Sequence, residues 1–286
     1  MLKYGDETPA AALVPIGYAG IRDGRARFRE IFCAIQLDHG ACLPDDRPCD
    51  QALHKLSDEP VPDERPVYLG NARSPIRLVI IPGFLEECVS DFIQPFMDAR
   101  PHVESLGFKT DIIMVSGLGG ITRNAAQIRE AVERMPGTPG EKLVFVVYSK
   151  GAADILEALS RYPDLSDRTT AVVSLAGVIS GTPVADDVPE LLKQLADVVL
   201  GWKCAAGKGE GIENLSRKER LSWLSRNKLP ASVRYYSLAA FTARDGISPL
   251  LLPSYDKLSL VDPRNDSLIA FSDALIPGGT LLVSDR

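Results

Sequence analysis

Apolar, β-branched runs recur along the 286-residue chain: IRLVII from Ile76, TDIIMV from Thr110, LVFVVY from Leu143, TTAVVSL from Thr169 and VRYYSL from Val233. Runs this short that do not alternate with polar residues suit strands buried on both faces of a parallel sheet. Thr280 to Val283 gives a last, shorter strand. Between them the apolar period lengthens to that of helices. From Thr122, the residues Ala125, Ile128, Val132 and Met135 share one stripe, and after position 149 Ile155, Leu156 and Leu159 share another. Strands alternating with helices imply βαβ units and right-handed crossovers.

Two regions break this rhythm. In residues 1–75, Ala26 to Leu37 places Phe28, Ile31, Phe32 and Ile35 on one helical side, and Pro-rich acidic loops follow. This stretch reads as an N-terminal extension of a domain spanning 76–286. Residues 184–228 read as a helical insert: an amphipathic helix Val188 to Leu200, a glycine-containing turn, then a helix over Arg217 to Asn227. Ser216 and Glu219 form a capping box at its start. Paired helices with a glycine-rich hinge suit a lid, or simply a pair of surface helices. The chain after Leu238 reads as loop until Thr280.

Composition narrows the class. With 45% hydrophobic and 24% charged residues the chain is an ordinary globular protein, and its net charge of -6 argues against a nucleic-acid partner. Arg217, Lys218 and Arg220 read as a solvated helix face. No apolar run approaches the ~20 residues of a membrane span. The N-terminus lacks a signal-peptide pattern, so the default expectation is a cytoplasmic chain, with export left open. Cys33, Cys42, Cys49, Cys88 and Cys204 have no metal-type spacing and are expected as free thiols; a disulfide from Cys33 to Cys49 or Cys42 would require export. Gly117-Leu118-Gly119-Gly120 lacks the spacing of a phosphate or dinucleotide loop. The chain therefore calls for no cofactor and no metal.

The informative chemistry lies at Leu143 to Ala158. Ser149 sits where the apolar strand must turn into a helix that opens with Gly151, Ala152 and Ala153. That layout is a nucleophile elbow, in which a sharp turn lifts a serine oxygen above the sheet. The motif G-x-S-x-G is met at Gly151 but not at Val147; Tyr148 and Lys150 flank the serine. On IIPGF, VYSKG, SLAGVISGTPVAD and RNDSLIAFSDALIPGG, the chain from Ile76 to Leu282 resembles the α/β-hydrolase superfamily, specifically bacterial lipases and esterases. The resemblance implies a mostly parallel sheet flanked by helices and a carboxylic-ester or acyl substrate. It implies Ser149 as nucleophile, Asp266 as acid with Asp273 as runner-up, and an oxyanion hole from the N–H groups of Lys150 and of Phe84 or Leu85. Phe84, Leu85 and Ile121 are expected near an apolar mouth.

Two departures stand against the pattern. Val147 replaces a small residue at a close helix–strand approach, where overpacking costs about 1–3 kcal/mol. No histidine follows Asp266; the last one, His102, falls in the crossover between the first two strands, which lies away from the strand carboxyl ends, and His39 and His54 read as surface residues. A serine triad without its base loses roughly 10⁴–10⁶ in kcat. The chain thus reads either as an impaired or cut-off hydrolase, with an edge strand left exposed, or as a non-catalytic hydrolase-fold binding protein. Lys150 is expected in solvent rather than as a substitute base.

Overall fold

The computed structural model describes residues 20–42, 47–84, 96, 98–186 and 210–285. Its strands are β1 (Arg22–Asp23), β2 (Ile76–Ile81), β3 (Lys109–Ile112), β4 (Lys142–Tyr148), β5 (Thr169–Leu175), β6 (Arg234–Ala240) and β7 (Thr280–Asp285). They form one sheet in the order β1-β7-β6-β5-β4-β2-β3, with every neighbouring pair parallel. The helices that matter for the site are α1 (Arg25–His39), α2 (Ile121–Arg134), α3 (Lys150–Arg161) and α4 (Arg217–Arg226). This is the α/β-hydrolase arrangement.

The order of connections places the site. From β2 the chain steps outward to β3, then returns to set β4 on the opposite side of β2. Such a reversal leaves a crevice outside the carboxyl ends of the two diverging strands, where ligands of open α/β sheets bind. Gly83 and Phe84 follow β2 there, and Ser149 follows β4. Leu143, Phe145 and Val147 alternate into the core of β4, fully buried with Ile128 of α2 and Ile155 and Leu159 of α3. A second apolar cluster joins Ala153, Val178, Ile212, Leu215 and Leu275 at the carboxyl end of the sheet.

The structure differs from the sequence reading at several points. Leu252–Ser259 is a helix inside the stretch read as loop. Strand β1 pairs with Thr280 and Leu281 on the outer side of β7, so that the first part of this edge is covered. The N-terminal stretch thus adds a strand to the sheet, and α1 begins on the next turn. Cys33 and Cys49 form a disulfide with Cα atoms 5.2 Å apart, not the free thiols expected. Spacing alone could not predict it: the turn after α1 and the helix Cys49–Ala52 bring the two together. Asp23 and Asp58 also converge on the buried Arg25. The expected helix Val188 to Leu200 lies outside the described residues.

Candidate active site

Ser149 has φ 49° and ψ -119°, a left-handed conformation that an L-residue adopts only under constraint. The constraint is visible in its hydrogen bonds. Its N–H donates to the Leu175 carbonyl at 3.0 Å, and its carbonyl accepts from Ala152 at 3.2 Å and Val178 at 3.1 Å. The end of β4 is thereby pinned to the end of β5 while α3 starts in the next residue. The turn also needs two missing side chains. A β-carbon at Gly151 would stand 2.6 Å from the Pro82 carbonyl oxygen, and one at Gly83 would stand 3.0 Å from the Ser149 β-carbon. Val147 is fully buried in the core, and the register places it beside Ile81 and the small Ser174.

The serine opens into a cavity of about 80 Å³, lined by Phe84, Val178, Thr182, Ile212, Leu215 and Leu268 among others. Thr182, the polar residue besides Ser149 in this lining, is already used. Its hydroxyl donates to the Leu268 carbonyl at 2.6 Å and accepts the Val184 N–H at 3.2 Å. The cavity therefore offers an acyl group only apolar contact. Phe84 meets the expectation of a residue at the mouth, and Leu85 lies outside the described residues. Ile121 does not line this cavity; it is buried behind it, with Ile212 and Leu215. Lys150 is the first residue of α3, so its N–H has no carbonyl partner within the helix.

The acid candidates both lie on the loop between β6 and β7. Asp266 closes its own turn: Oδ1 accepts the N–H groups of Leu268 at 2.9 Å and Ile269 at 2.7 Å. That turn delivers Leu268 to the cavity. Burial pushes the Asp266 carboxyl up from its ordinary value, against the pull of these N–H donors. Asp273 is more deeply buried. Its Oδ1 lies 3.3 Å from Arg217, and its backbone carbonyl accepts from Ile179 and Ser180. Burial, reinforced by Asp262, raises its pKa to about 6 although Arg217 pulls it down. Tied to Arg217, Asp273 fits a structural clasp between loop and insert.

Three charged residues are not where the sequence placed them. The Lys150 side chain is 1% exposed, with Nζ 2.9 Å and 3.0 Å from the two carboxylate oxygens of Asp154. Asn124 on α2 donates to the same carboxylate at 2.9 Å. A lysine one turn before an aspartate on an inward face folds back into the core because the pair neutralises itself there. Desolvation nevertheless pushes the Asp154 carboxyl up. Arg220 is also 1% exposed, and Arg217 is largely covered, so the expected solvated face of α4 is instead its anchor to the core. The spacing of Lys150 and Asp154 was the available signal; Arg217 and Arg220 take their polar partners, Asp273 and the Ile179 carbonyl, from far along the chain. The Ser216 cap does form, accepting the Glu219 N–H at 3.3 Å.

The histidines are elsewhere. The rings of His39 and His102 meet edge to face at 4.9 Å, where the end of α1 reaches the helix Arg100–Ser105, and His54 lies in the N-terminal stretch. Among the described residues no imidazole lines the Ser149 cavity.

A serine lifted from the sheet at its topological switch point, beside an apolar cavity, defines a protein of the α/β-hydrolase class. The comparisons agree. The crystal structure of the metagenomic carboxyl esterase MGS0156 is 49% identical, with a TM-score of 0.87, over 96% of this chain and 83% of that one. The chain belongs to the α/β-hydrolase family of that carboxyl esterase. Two lipases share the fold at lower identity. They are the mature Bacillus licheniformis lipase BlEst2 (20%, TM-score 0.62, 78% of this chain and 87% of that) and the Staphylococcus hyicus lipase (13%, TM-score 0.57, 76% and 88%). A segment of 89 residues is 33% identical to the mercuric reductase of Serratia marcescens, spanning 31% of this chain and 18% of the reductase. No family model matches. No helix among the described residues is long and apolar enough to cross a membrane.

Proposed function

We propose that this chain acts on small carboxylic esters with short apolar acyl groups, with Ser149 as nucleophile and Asp266 as the acid of the site. The observation that carries the reading is the left-handed Ser149 at the mouth of an apolar cavity. At about 80 Å³ this cavity has roughly half the volume of the ~150 Å³ apolar cavity that holds benzene, which favours acyl chains of about three or four carbons. In this reading the Ser149 oxygen bonds to the ester carbon as its proton leaves. The developing oxyanion is held by the N–H groups of Lys150 and of Phe84 or Leu85. The alcohol then departs, and water releases the acid. Residues 76–286 are read as the hydrolase domain, with 184–228 as its insert and 1–75 as an extension.

The proton is the weak point of this scheme. With His39, His54 and His102 away from the cavity, no imidazole among the described residues can take the Ser149 proton, and an added small-molecule base is expected to raise turnover. This same observation favours the second reading, a hydrolase-fold protein that binds an apolar ligand without turning it over. The two separate on p-nitrophenyl butyrate turnover by wild type and Ser149→Ala. Faster release by the wild type, raised further by added imidazole, supports the hydrolase; equal rates eliminate it. The disulfide supports an exported form over the cytoplasmic default. Thiol titration of the protein from its native source would give three free cysteines if so and five if not.

A further inference from the structure

The turn that helps enclose the Ser149 cavity has a second side. Ile212 and Leu215 line the serine's cavity, while Asn214 between them lines another, of about 240 Å³. This second cavity is polar and is bounded by the start of α2, by Glu157 and Arg161 of α3, and by Arg220, Trp223 and Arg226 of α4.

Its donors outnumber its acceptors. Helix α2 begins after Gly120, which supplies no side-chain cap. The Ile121 N–H is taken by Asn214 Oδ1 at 3.1 Å, but those of Thr122 and Arg123 have no carbonyl within the helix. The partial positive charge of a helix N-terminus therefore faces this space. Arg220 stands across from it. Its Nε donates to the Ile179 carbonyl at 3.2 Å and its guanidinium lies 4.6 Å from the Trp223 ring centre, yet Nη2 is buried with no hydrogen-bond partner. Arg161 and the exposed Arg226 add charge at the rim.

The acidic groups facing the cavity do not cancel this. Glu157 is saturated: Oε1 accepts from Arg161 at 2.6 Å and from Thr122 at 3.4 Å, and Oε2 accepts from Trp223. Glu219 is the other carboxylate in the lining, so three arginines stand against two glutamates. Desolvation lowers the Arg220 pKa to about 10, more than Asp154 and Glu157 restore. Arg220 is thus an under-compensated buried cation, and such groups are stable only when paired and hydrogen-bonded.

We propose that this cavity binds a small oxyanion, a carboxylate or a phosphate, between Arg220 Nη2 and the N-terminus of α2, with Arg161 and Arg226 closing its rim. Bound there, the anion ties α4 and the 212–215 turn to α2 and α3. It thereby stiffens one wall of the serine's cavity without entering it.

The test is a calorimetric titration of the whole chain with sodium phosphate and, separately, sodium acetate, at constant ionic strength in chloride. Saturable binding of one anion per chain is expected, and the stronger of the two identifies the class of ligand. Binding weakens several-fold in Arg226→Gln, whose exposed rim position spares the fold, and is lost in Arg220→Gln. Saturable binding to neither anion, or unchanged binding in Arg226→Gln, overturns the proposal. The titration uses no ester, so its failure and that of the esterase reading are separate results.

Discussion

The Ser149 turn and the loop that carries Asp266 and Asp273 meet at one cavity but are built by opposite means. The turn is held by backbone: one hydrogen bond donated by Ser149 and two accepted by it, two glycines at close approaches, and an apolar core beneath. The loop is held by side chains. Asn265 bridges Ser259 and the Asp262 carbonyl, Thr182 grips Leu268, Asp266 folds onto its own turn, and Arg217 clasps Asp273. A steric change, or loss of the buried Lys150–Asp154 pair beneath it, should break the first half, whereas pH and the remaining polar substitutions should act on the second.

The largest expected effect probes the fully buried ion pair at the start of α3. Lys150→Met leaves the buried Asp154 without its cation, and breaking such a pair costs about 3–5 kcal/mol. The double variant Lys150→Met/Asp154→Leu should recover most of that loss. Denaturant unfolding of the wild type and the two variants measures both, and a single-variant loss below about 1 kcal/mol would show that the pair does not support the elbow. Gly151→Ala comes next: its β-carbon would meet the Ile81 and Pro82 carbonyl oxygens at 2.7 Å and 2.6 Å. Overpacking of about 1–3 kcal/mol should lower Tm by several degrees and remove reactivity at Ser149.

On the loop's side the clearest handle is pH. Asp273 titrates at about 6 in the folded chain, above an unfolded carboxyl of about 3.9. Between those values the unfolded state binds fewer protons, so this group's contribution to stability falls as pH rises from about 4 to 6. Asp273→Asn should abolish that slope and gain on the wild type by about 1–2 kcal/mol by pH 7, less than the shift alone implies, because Arg217 loses its partner. Unfolding free energies measured across pH 4 to 8 check this; parallel curves would contradict it. The smallest effect is at the insert, where Ser216→Ala removes the cap of α4 and should cost about 1 kcal/mol in a thermal melt.

The same contrast explains what could be read from the chain. The elbow was legible because its determinants are contiguous: an apolar strand, a serine and a glycine within nine residues of sequence, and the sheet followed from repeating that pattern. The Ser216 cap was legible for the same reason. The loop half was not. Asp266 could be placed only by resemblance, and the roles of Arg217, Arg220 and Thr182 depend on partners tens of residues away, which no local pattern encodes. Charge misled where it was buried: Lys150 and the arginines of α4 look solvated until the fold supplies a carboxylate, a carbonyl or a ring. The short strand β1 escaped notice similarly, and the disulfide stood only as an alternative to free thiols, since both depend on where the N-terminal stretch docks.

The central claim is that residue 149 carries a reactive oxygen at the mouth of its cavity. The most direct measurement is peptide mass spectrometry after treatment with a small alkyl fluorophosphonate, on wild type and Ser149→Ala. The account predicts one adduct, on the peptide containing Ser149, and none on the variant. An unmodified Ser149 peptide, or an adduct that survives the substitution, would contradict it.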